Sequence, residues 1–139
     1  MRVFLDASVI IAGLYSPSGG SAVILNLIEK GIITGVTSQV ILGETKRNIV
    51  DKLLKITEKY EQFAKQSKIV VVPIPAKETV AKWHNIIDPK DAHVLAATIA
   101  SKADYLVTLD RKHFMLEQVK KAVVFKIVTP KELIEILSL

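Results

Sequence analysis

Short runs of β-branched and other apolar residues alternate along the chain with longer segments in which apolar positions recur every three or four residues. The short runs predict strands at 2–5, 35–38, 69–72, 105–108 and 123–128. The third run is apolar throughout and predicts a buried strand, which Pro73 ends. Strands that alternate with helices predict one α/β domain built around a parallel sheet.

The segments between the strands carry helix start and stop signals. They predict helices at 7–14 (a short helix or turn), 21–30, 39–55, 57–67, 76–87, 88–103 and from 130 onward. Gly31 takes the position just after the second helix, where a left-handed residue is common, and Ser38 caps the third. Thr129, Pro130 and Glu132 complete a capping box with proline at the first helical position, so the last helix begins there.

Composition narrows the class of protein. The 139 residues form one domain, half of them are hydrophobic, and the net charge of +5 indicates either a polyanionic substrate or a solvated lysine-rich surface. The absence of cysteine excludes disulfides and fits a reducing cytoplasm. Residues 7–28 carry no charged side chain, but the Ser-Pro-Ser-Gly-Gly-Ser run at 16–21 divides them, and Asp6 interrupts any signal peptide. We therefore expect a cytoplasmic protein without a membrane segment.

Four acidic residues lie where a strand ends or in the first turns of the following helix. They are Asp6, Glu44, Asp91 and Asp110. The carboxyl ends of parallel strands meet at one edge of a sheet, so we expect these side chains to lie close together. Two carboxylates at ~5 Å repel by roughly 3 kcal/mol at an effective dielectric of ~20. A divalent cation removes that cost, and the pattern indicates a metal site with oxygen ligands.

Three of these acidic residues also have a plain structural interpretation. Asp6 and Asp110 each precede a predicted helix, and aspartate is a common N-cap. On a helical wheel Glu44 lies on the polar side of its helix, where a solvated carboxylate is ordinary. Position alone leaves both interpretations open for all three.

Asp91 is harder to explain as a cap, because Asp88 is the better candidate. Pro89 would fill the first helical position after Asp88 and place Asp91 at the third. The helix that follows is apolar on nearly all sides, so a carboxylate in its first turn is partly dehydrated. His93 and His113 lie near Asp91 and Asp110 in sequence, and each can be either a supporting group or an ordinary surface or core histidine.

Several common kinds of site are absent from the sequence. It contains no dinucleotide-binding or P-loop glycine pattern, no Gly-x-Ser-x-Gly nucleophile turn, and no His-Glu-x-x-His zinc motif.

Four segments resemble the motifs of PIN-domain nucleases, in the same order and across nearly the whole chain. Val-Phe-Leu-Asp-Ala-Ser-Val-Ile-Ile at 3–11 is similar to the family's opening, and Ser-Gln-Val-Ile-Leu-Gly-Glu at 38–44 is similar to its second motif. Asp-Ala-His-Val-Leu-Ala-Ala at 91–97 resembles the third. Ala-Asp-Tyr-Leu-Val-Thr-Leu-Asp at 103–110, with Phe114, resembles the fourth. One departure is Ala7, where many members carry threonine.

The resemblance implies a Rossmann-like three-layer α/β sandwich with a five-stranded parallel sheet in the order 3-2-1-4-5. It also implies an endoribonuclease dependent on Mg²⁺ or Mn²⁺, which agrees with oxygen-only ligands. The small single-domain form looks most like the VapC-like toxins of toxin–antitoxin pairs. That likeness adds an antitoxin protein and a homodimer to the expected partners, beside an RNA substrate.

The family motifs assign roles to individual residues. Asp6, Asp91 and Asp110 would bind metal directly, and Glu44 would complete the site or orient the attacking water. The hydroxyls of Ser8 and Thr108 would hold the carboxylates in place. Basic residues that flank the motifs are either phosphate contacts or solvated side chains: Lys46, Arg47, Arg111 and Lys112. The alternative to a nuclease is a catalytically inactive PIN-like module that binds RNA or a protein partner.

Overall fold

The computed structural model describes residues 1–52 and 54–138. Within them the strands are β1 (Arg2–Leu5), β2 (Thr34–Ser38), β3 (Val70–Val72), β4 (Tyr105–Val107) and β5 (Lys126–Val128). They form one parallel sheet in the order β3-β2-β1-β4-β5, which confirms the expected topology. The central strand, β1, is apolar and fully enclosed from Val3 to Leu5, as a strand with helices on both faces must be.

Helices connect the strands. In the described residues they are α1 (Ala7–Tyr15), α2 (Gly20–Glu29), α3 (Gln39–Lys52), α4 (Thr57–Gln66), α5 (Lys77–Ala81), α6 (Ala92–Ala100), α7 (Arg111–Phe114), α8 (Glu117–Ala122) and α9 (Pro130–Ile136), with a 3-10 turn at Leu54–Ile56. Residue 53, which falls inside the helix predicted to reach residue 55, lies outside the described residues.

Several predicted helix ends are confirmed, but the helix predicted at 76–87 ends at Ala81, and the one predicted at 88–103 spans only Ala92–Ala100. The Ile41 amide donates to Ser38 Oγ at 3.1 Å, and Gly31 follows α2 with a φ of 74° in the left-handed region. Thr129 and Glu132 form the reciprocal capping box at the start of α9, with Pro130 in the first position. These caps form as predicted because each one pairs backbone groups that the helix itself leaves without a hydrogen bond.

The prediction that the third strand is buried was wrong. β3 lies at the edge of the sheet, and Val70 and Val71 are each 41% exposed. An unbroken apolar run therefore marks an edge strand here, and Pro73 directly after it limits further pairing.

Within the described residues, no single helix is long and apolar enough to cross a membrane. The uncharged stretch early in the chain reaches that length only when α1 and α2 are joined, and these two helices meet at 97°.

Parallel pairing places the functional candidates at one edge. Val3 and Leu5 of β1 pair with Tyr105 and Val107 of β4, so the residues directly after both strands emerge side by side. α6 is packed against the sheet with most of its residues buried, and its first turn points to the same edge.

Candidate active site at the carboxyl edge of the sheet

Asp6 is a buried carboxylate, only 8% exposed, at the end of β1. Its Oδ1 accepts from the Ala7 amide at 2.8 Å, and its Oδ2 accepts from the hydroxyls of Ser8 at 3.2 Å and Thr108 at 2.7 Å. It is therefore an N-cap as well as a member of the site. Two hydrogen bonds use the lone pairs of Oδ2, so Oδ1 keeps the free acceptor capacity.

Thr108 joins the ends of β1 and β4. Besides donating to Asp6, its hydroxyl accepts from the Asp110 amide at 3.0 Å, and it is fully buried. The Ser8 hydroxyl makes a similar link, because it also accepts from the Leu109 amide at 3.1 Å. These two hydroxyls fix the Asp6 carboxylate relative to the loop that carries Asp110.

Asp110 is held by His113. Its Oδ1 caps α7 by accepting from the His113 amide at 3.0 Å, and its Oδ2 lies 2.9 Å from His113 Nδ1. Both carboxylate oxygens thus have one partner, and each retains a second lone pair for a ligand.

Asp91 begins α6 but does not cap it with its side chain. It occupies the N-cap position, where the structure gives it no side-chain capping bond. The prediction of Asp88 as N-cap and Asp91 in the third helical position was wrong. Asp88 Oδ1 instead accepts from the Lys90 amide at 2.9 Å, and the Asp91 amide bonds to the Asp88 carbonyl at 2.8 Å. Pro89 therefore starts a separate turn, and the Asp91 carboxylate is left available to a ligand.

Asp91, Asp110 and His113 come together in space. One ligand atom from each lies within 4.8 Å of the other two. Of the sequence-predicted acidic residues, the structure brings Asp91 and Asp110 into this group and places Asp6 and Glu44 outside it. Asp6 is tied to the group through Thr108.

Glu44 joins the same edge through a histidine. His93 Nε2 lies 2.8 Å from Glu44 Oε1, with the histidine side chain 14% exposed and the glutamate side chain 33% exposed. The solvated-face interpretation of Glu44 is thus incomplete, since one of its oxygens contacts a residue in the first turn of α6. His93 Nδ1 is buried and has no hydrogen-bond partner among the described residues.

Burial and like charge raise the pKa of two of the carboxyls. Desolvation raises the pKa of Asp6, and the nearby Glu44 charge adds to the rise, although the bonds from Thr108, Ala7 and Ser8 oppose it. Desolvation also raises the pKa of Asp91; the charges of Asp110 and Asp88 add to it, and His113 and His93 oppose it. Ionised, both groups carry an unfavourable energy that a cation would relieve.

Sequence reasoning gave too little weight to the histidines. His93 follows Asp91 by two residues, a spacing that does not bring side chains to one side of a helix, but His113 follows Asp110 by three, a spacing that does. That spacing was the available signal, but it applies equally to surface histidines. Only the fold brings Glu44 to His93 across forty-nine residues of chain.

The donor set fits a hard divalent cation. The carboxylates of Asp91 and Asp110 offer free oxygen lone pairs beside each other, and Asp6, which Thr108 links to the Asp110 loop, has spare acceptor capacity on Oδ1. Carboxylate oxygens suit Mg²⁺ and Mn²⁺, and the imidazole of His113 is acceptable to Mn²⁺. No cysteine is present to favour a softer metal.

Comparisons with known proteins agree on the fold. The family model described as PIN domain matches residues 2–112. No curated protein matches the chain. VapBC2 of Rickettsia felis, solved with a DNA fragment from its promoter, is similar with a TM-score of 0.66 at 18% identity, over 93% of this chain and 98% of that one.

Two further solved structures are similar over most of their length. VapC20 of Mycobacterium tuberculosis, described as a toxin that cleaves the Sarcin-Ricin loop, gives a TM-score of 0.59 at 16% identity, over 79% of this chain and 91% of that one. PAE2754 of Pyrobaculum aerophilum gives a TM-score of 0.66 at 13% identity, over 100% of this chain and 97% of that one. At these identities the likeness is one of fold.

Proposed function

The chain belongs to the PIN-domain family, and from that premise we propose that it is a metal-dependent endoribonuclease that hydrolyses RNA phosphodiester bonds. The observation that carries the proposal is the group formed by Asp91, Asp110 and His113, whose ligand atoms lie within 4.8 Å of one another at the carboxyl edge. An α/β protein places its chemistry at this edge, and an uncompensated pair of carboxylates there has an energetic need for a cation.

Asp91 and Asp110 would hold the metal, with Asp6 Oδ1 as a further ligand and His113 beside them. Mg²⁺ or Mn²⁺ bound there would supply positive charge to the phosphodiester oxygens and make water more acidic. Ser8 and Thr108 orient the Asp6 carboxylate through the bonds described above.

Glu44 is suited to accept a proton from the attacking water. His93 holds its Oε1 at 2.8 Å, which leaves Oε2 free for that water. The contact also fixes the direction of the carboxylate, because a side chain anchored at one oxygen loses most of its rotational freedom. The basic side chains of Lys46, Arg47, Arg111 and Lys112 are exposed near these motifs and can contact the RNA backbone.

The biological role we propose is that of the toxin in a toxin–antitoxin pair. The similarity to VapC20, a toxin by its description, and to VapBC2 supports this role. An antitoxin protein, a homodimer and a cytoplasmic location belong to the same proposal.

We expect RNA cleavage by the purified chain to require added metal. A single-stranded RNA should be cut in Mg²⁺ or Mn²⁺, remain intact in EDTA, and be cut again when metal is restored in excess. Gel analysis of end-labelled RNA measures this. Full cleavage in EDTA would reject the metal-dependent mechanism. RNA or protein binding without cleavage in any metal would favour the inactive binding module.

Thermal stability gives a second prediction, which does not depend on cleavage. Because the Asp91 pKa is raised, its ionised form costs stability as the pH rises, and Asp91→Asn should raise the metal-free melting temperature at neutral pH by about 1–3 °C. The gain should vanish in acid, where Asp91 is protonated. Mn²⁺ should raise the melting temperature of the wild type and have little effect on the variant. Calorimetry with and without Mn²⁺ tests this, and equal Mn²⁺ shifts for both chains would contradict it.

A further inference from the structure

A second cleft opens beside the acidic site, with a volume of about 250 Å³. It is formed by the start of α2 at Gly20 and Ser21, by Leu109 and Arg111 on the loop after β4, and by Lys131 at the start of α9. We propose that this cleft binds a backbone phosphate of the RNA strand, next to the phosphodiester that is cut. This inference rests on the proposed function, because it names how the same site takes its substrate.

Ser21 is the first observation that indicates a ligand. The residue is only 6% exposed and lines the cleft, yet its hydroxyl has no hydrogen-bond partner among the described residues. The Ser21 hydroxyl is not one of the fully buried unpaired atoms of the described residues, so it keeps contact with solvent at the cleft and is accessible to a ligand there. A phosphate oxygen at the cleft would accept its hydrogen bond.

The start of α2 adds backbone donors. Gly19 is the N-cap of this ten-residue helix and supplies no side-chain capping bond. The amides of the first helical residues, Gly20 and Ser21 among them, have no partner within the helix. With the helix dipole they favour an anion at this end, and Gly20 has no side chain to cover them.

Two cations complete the cleft. Arg111 and Lys131 are both exposed, and neither lies within ion-pair distance of an acidic group in the described part of the chain. The pKa of Glu132 is lowered chiefly by the bond it accepts from the Thr129 amide at 3.0 Å, and the charge of Arg111 contributes in the same direction without an ion pair. Arg111 can therefore turn its guanidinium to a phosphate, which it can bind through two parallel hydrogen bonds.

The cleft and the acidic site share a wall. Arg111 directly follows Asp110, and the Leu109 amide donates to the same Ser8 hydroxyl that contacts Asp6. An RNA strand that passes over the carboxylates therefore meets Arg111 as it leaves the acidic site. The cation-rich cleft can hold the next part of the backbone while the acidic edge receives the scissile phosphate.

RNA binding by the full-length Asp91→Asn chain in EDTA tests the cleft without cleavage. Fluorescence anisotropy of a short single-stranded RNA, between about 50 and 200 mM salt, gives the affinity and its salt slope. Arg111→Gln and Lys131→Gln, each added to this chain, should weaken binding about tenfold. Each should also reduce the slope of log K against log salt by about 0.7.

Two further variants distinguish a specific phosphate site in the cleft from general attraction of RNA to a basic surface. Ser21→Ala should weaken binding by about threefold to tenfold and leave the salt slope unchanged, because it removes a hydrogen bond and no charge. Lys65→Gln removes an exposed cation on α4, away from the cleft, and is the matched control with unchanged affinity. If Arg111→Gln, Lys131→Gln and Ser21→Ala all bind as Lys65→Gln does, the proposal is overturned.

The source of the phosphate is decided with RNAs that carry either a 5′-hydroxyl or a 5′-phosphate. Equal affinity for the two supports an internal backbone phosphate. Binding that depends on the 5′-phosphate overturns it. Wild-type cleavage with Mn²⁺ is measured in parallel. If the wild type cleaves RNA and the cleft variants bind RNA as well as the control does, the cleft proposal is rejected and the nuclease proposal stands. If the wild type does not cleave RNA but binding still depends on the cleft residues, the nuclease proposal is rejected and the cleft proposal is supported.

Discussion

Replacement of Asp91 by asparagine is expected to lower RNA cleavage by about a thousandfold or more in either Mg²⁺ or Mn²⁺. Asp91 has no side-chain capping bond in α6, and its carboxylate lies within 4.8 Å of the ligand atoms of Asp110 and His113. Asparagine keeps the shape and removes the charge, so the helix is retained while a metal ligand is lost. Single-turnover cleavage of end-labelled RNA, with circular dichroism to establish the fold, measures the effect.

Asp88→Asn is the matched control for this prediction. Asp88 lies three residues earlier, it is exposed, and its Oδ1 accepts from the Lys90 amide, a bond that asparagine can also accept. We expect its activity to stay within a few-fold of wild type. Equal losses in both variants would show a general effect of negative charge near α6, and an active Asp91→Asn would remove Asp91 from the mechanism.

The sequence predicted the parallel sheet and the edge that carries the acidic residues because both follow from local signals, whereas the order of the strands came from the resemblance to PIN domains. Strand ends and helix caps depend on residues adjacent in sequence, as at Ser38 and Thr129. Parallel pairing then places the residues that follow each strand at the same edge of the sheet. The apolar pattern alone did not show whether a strand is buried within the sheet or lies at its edge. β3 is as apolar as a buried strand, and its place at the edge depends on which partners the other strands take.

The contacts of the candidate site were less predictable than its acidic residues. Asp6 and Asp110 are helix caps and also lie at the candidate site, so the N-cap interpretation and the site interpretation are compatible for both residues. The contact between His93 and Glu44 joins residues from different helices, and no local spacing encodes it. The free carboxylate of Asp91 depends on Asp88 closing its own turn, a competition between two N-cap candidates that the sequence did not decide.

Thr108→Val is expected to destabilise the metal-free protein by about 2–4 kcal/mol at neutral pH. The fully buried hydroxyl donates to Asp6 Oδ2 at 2.7 Å and accepts from the Asp110 amide at 3.0 Å. Valine fills the same space, but it leaves a buried carboxylate with one donor fewer and a backbone amide without its acceptor. Urea denaturation in EDTA measures the free energy of unfolding.

The pH dependence distinguishes this cause from a simple packing defect. Burial raises the Asp6 pKa in the folded state, so Asp6 contributes most favourably when protonated, and stability falls as the pH rises through the folded pKa. The Thr108 bond lowers that pKa. Without it the pKa rises further and ionisation costs more, so the difference between variant and wild type should be smallest in acid and grow towards neutral pH.

Thr98→Val provides the comparison for Thr108→Val. Thr98 is also fully buried, but its hydroxyl donates to the Val94 carbonyl one turn back in α6, at 2.7 Å. That carbonyl lies within a helix, so we expect a loss of about 1 kcal/mol with no marked dependence on pH. If the two variants lose equal stability at every pH, the Thr108 hydroxyl does not support the Asp6 charge. A larger loss at Thr108 that grows with pH means that this hydroxyl sustains an ionised, buried Asp6, the state in which Asp6 can serve as a metal ligand.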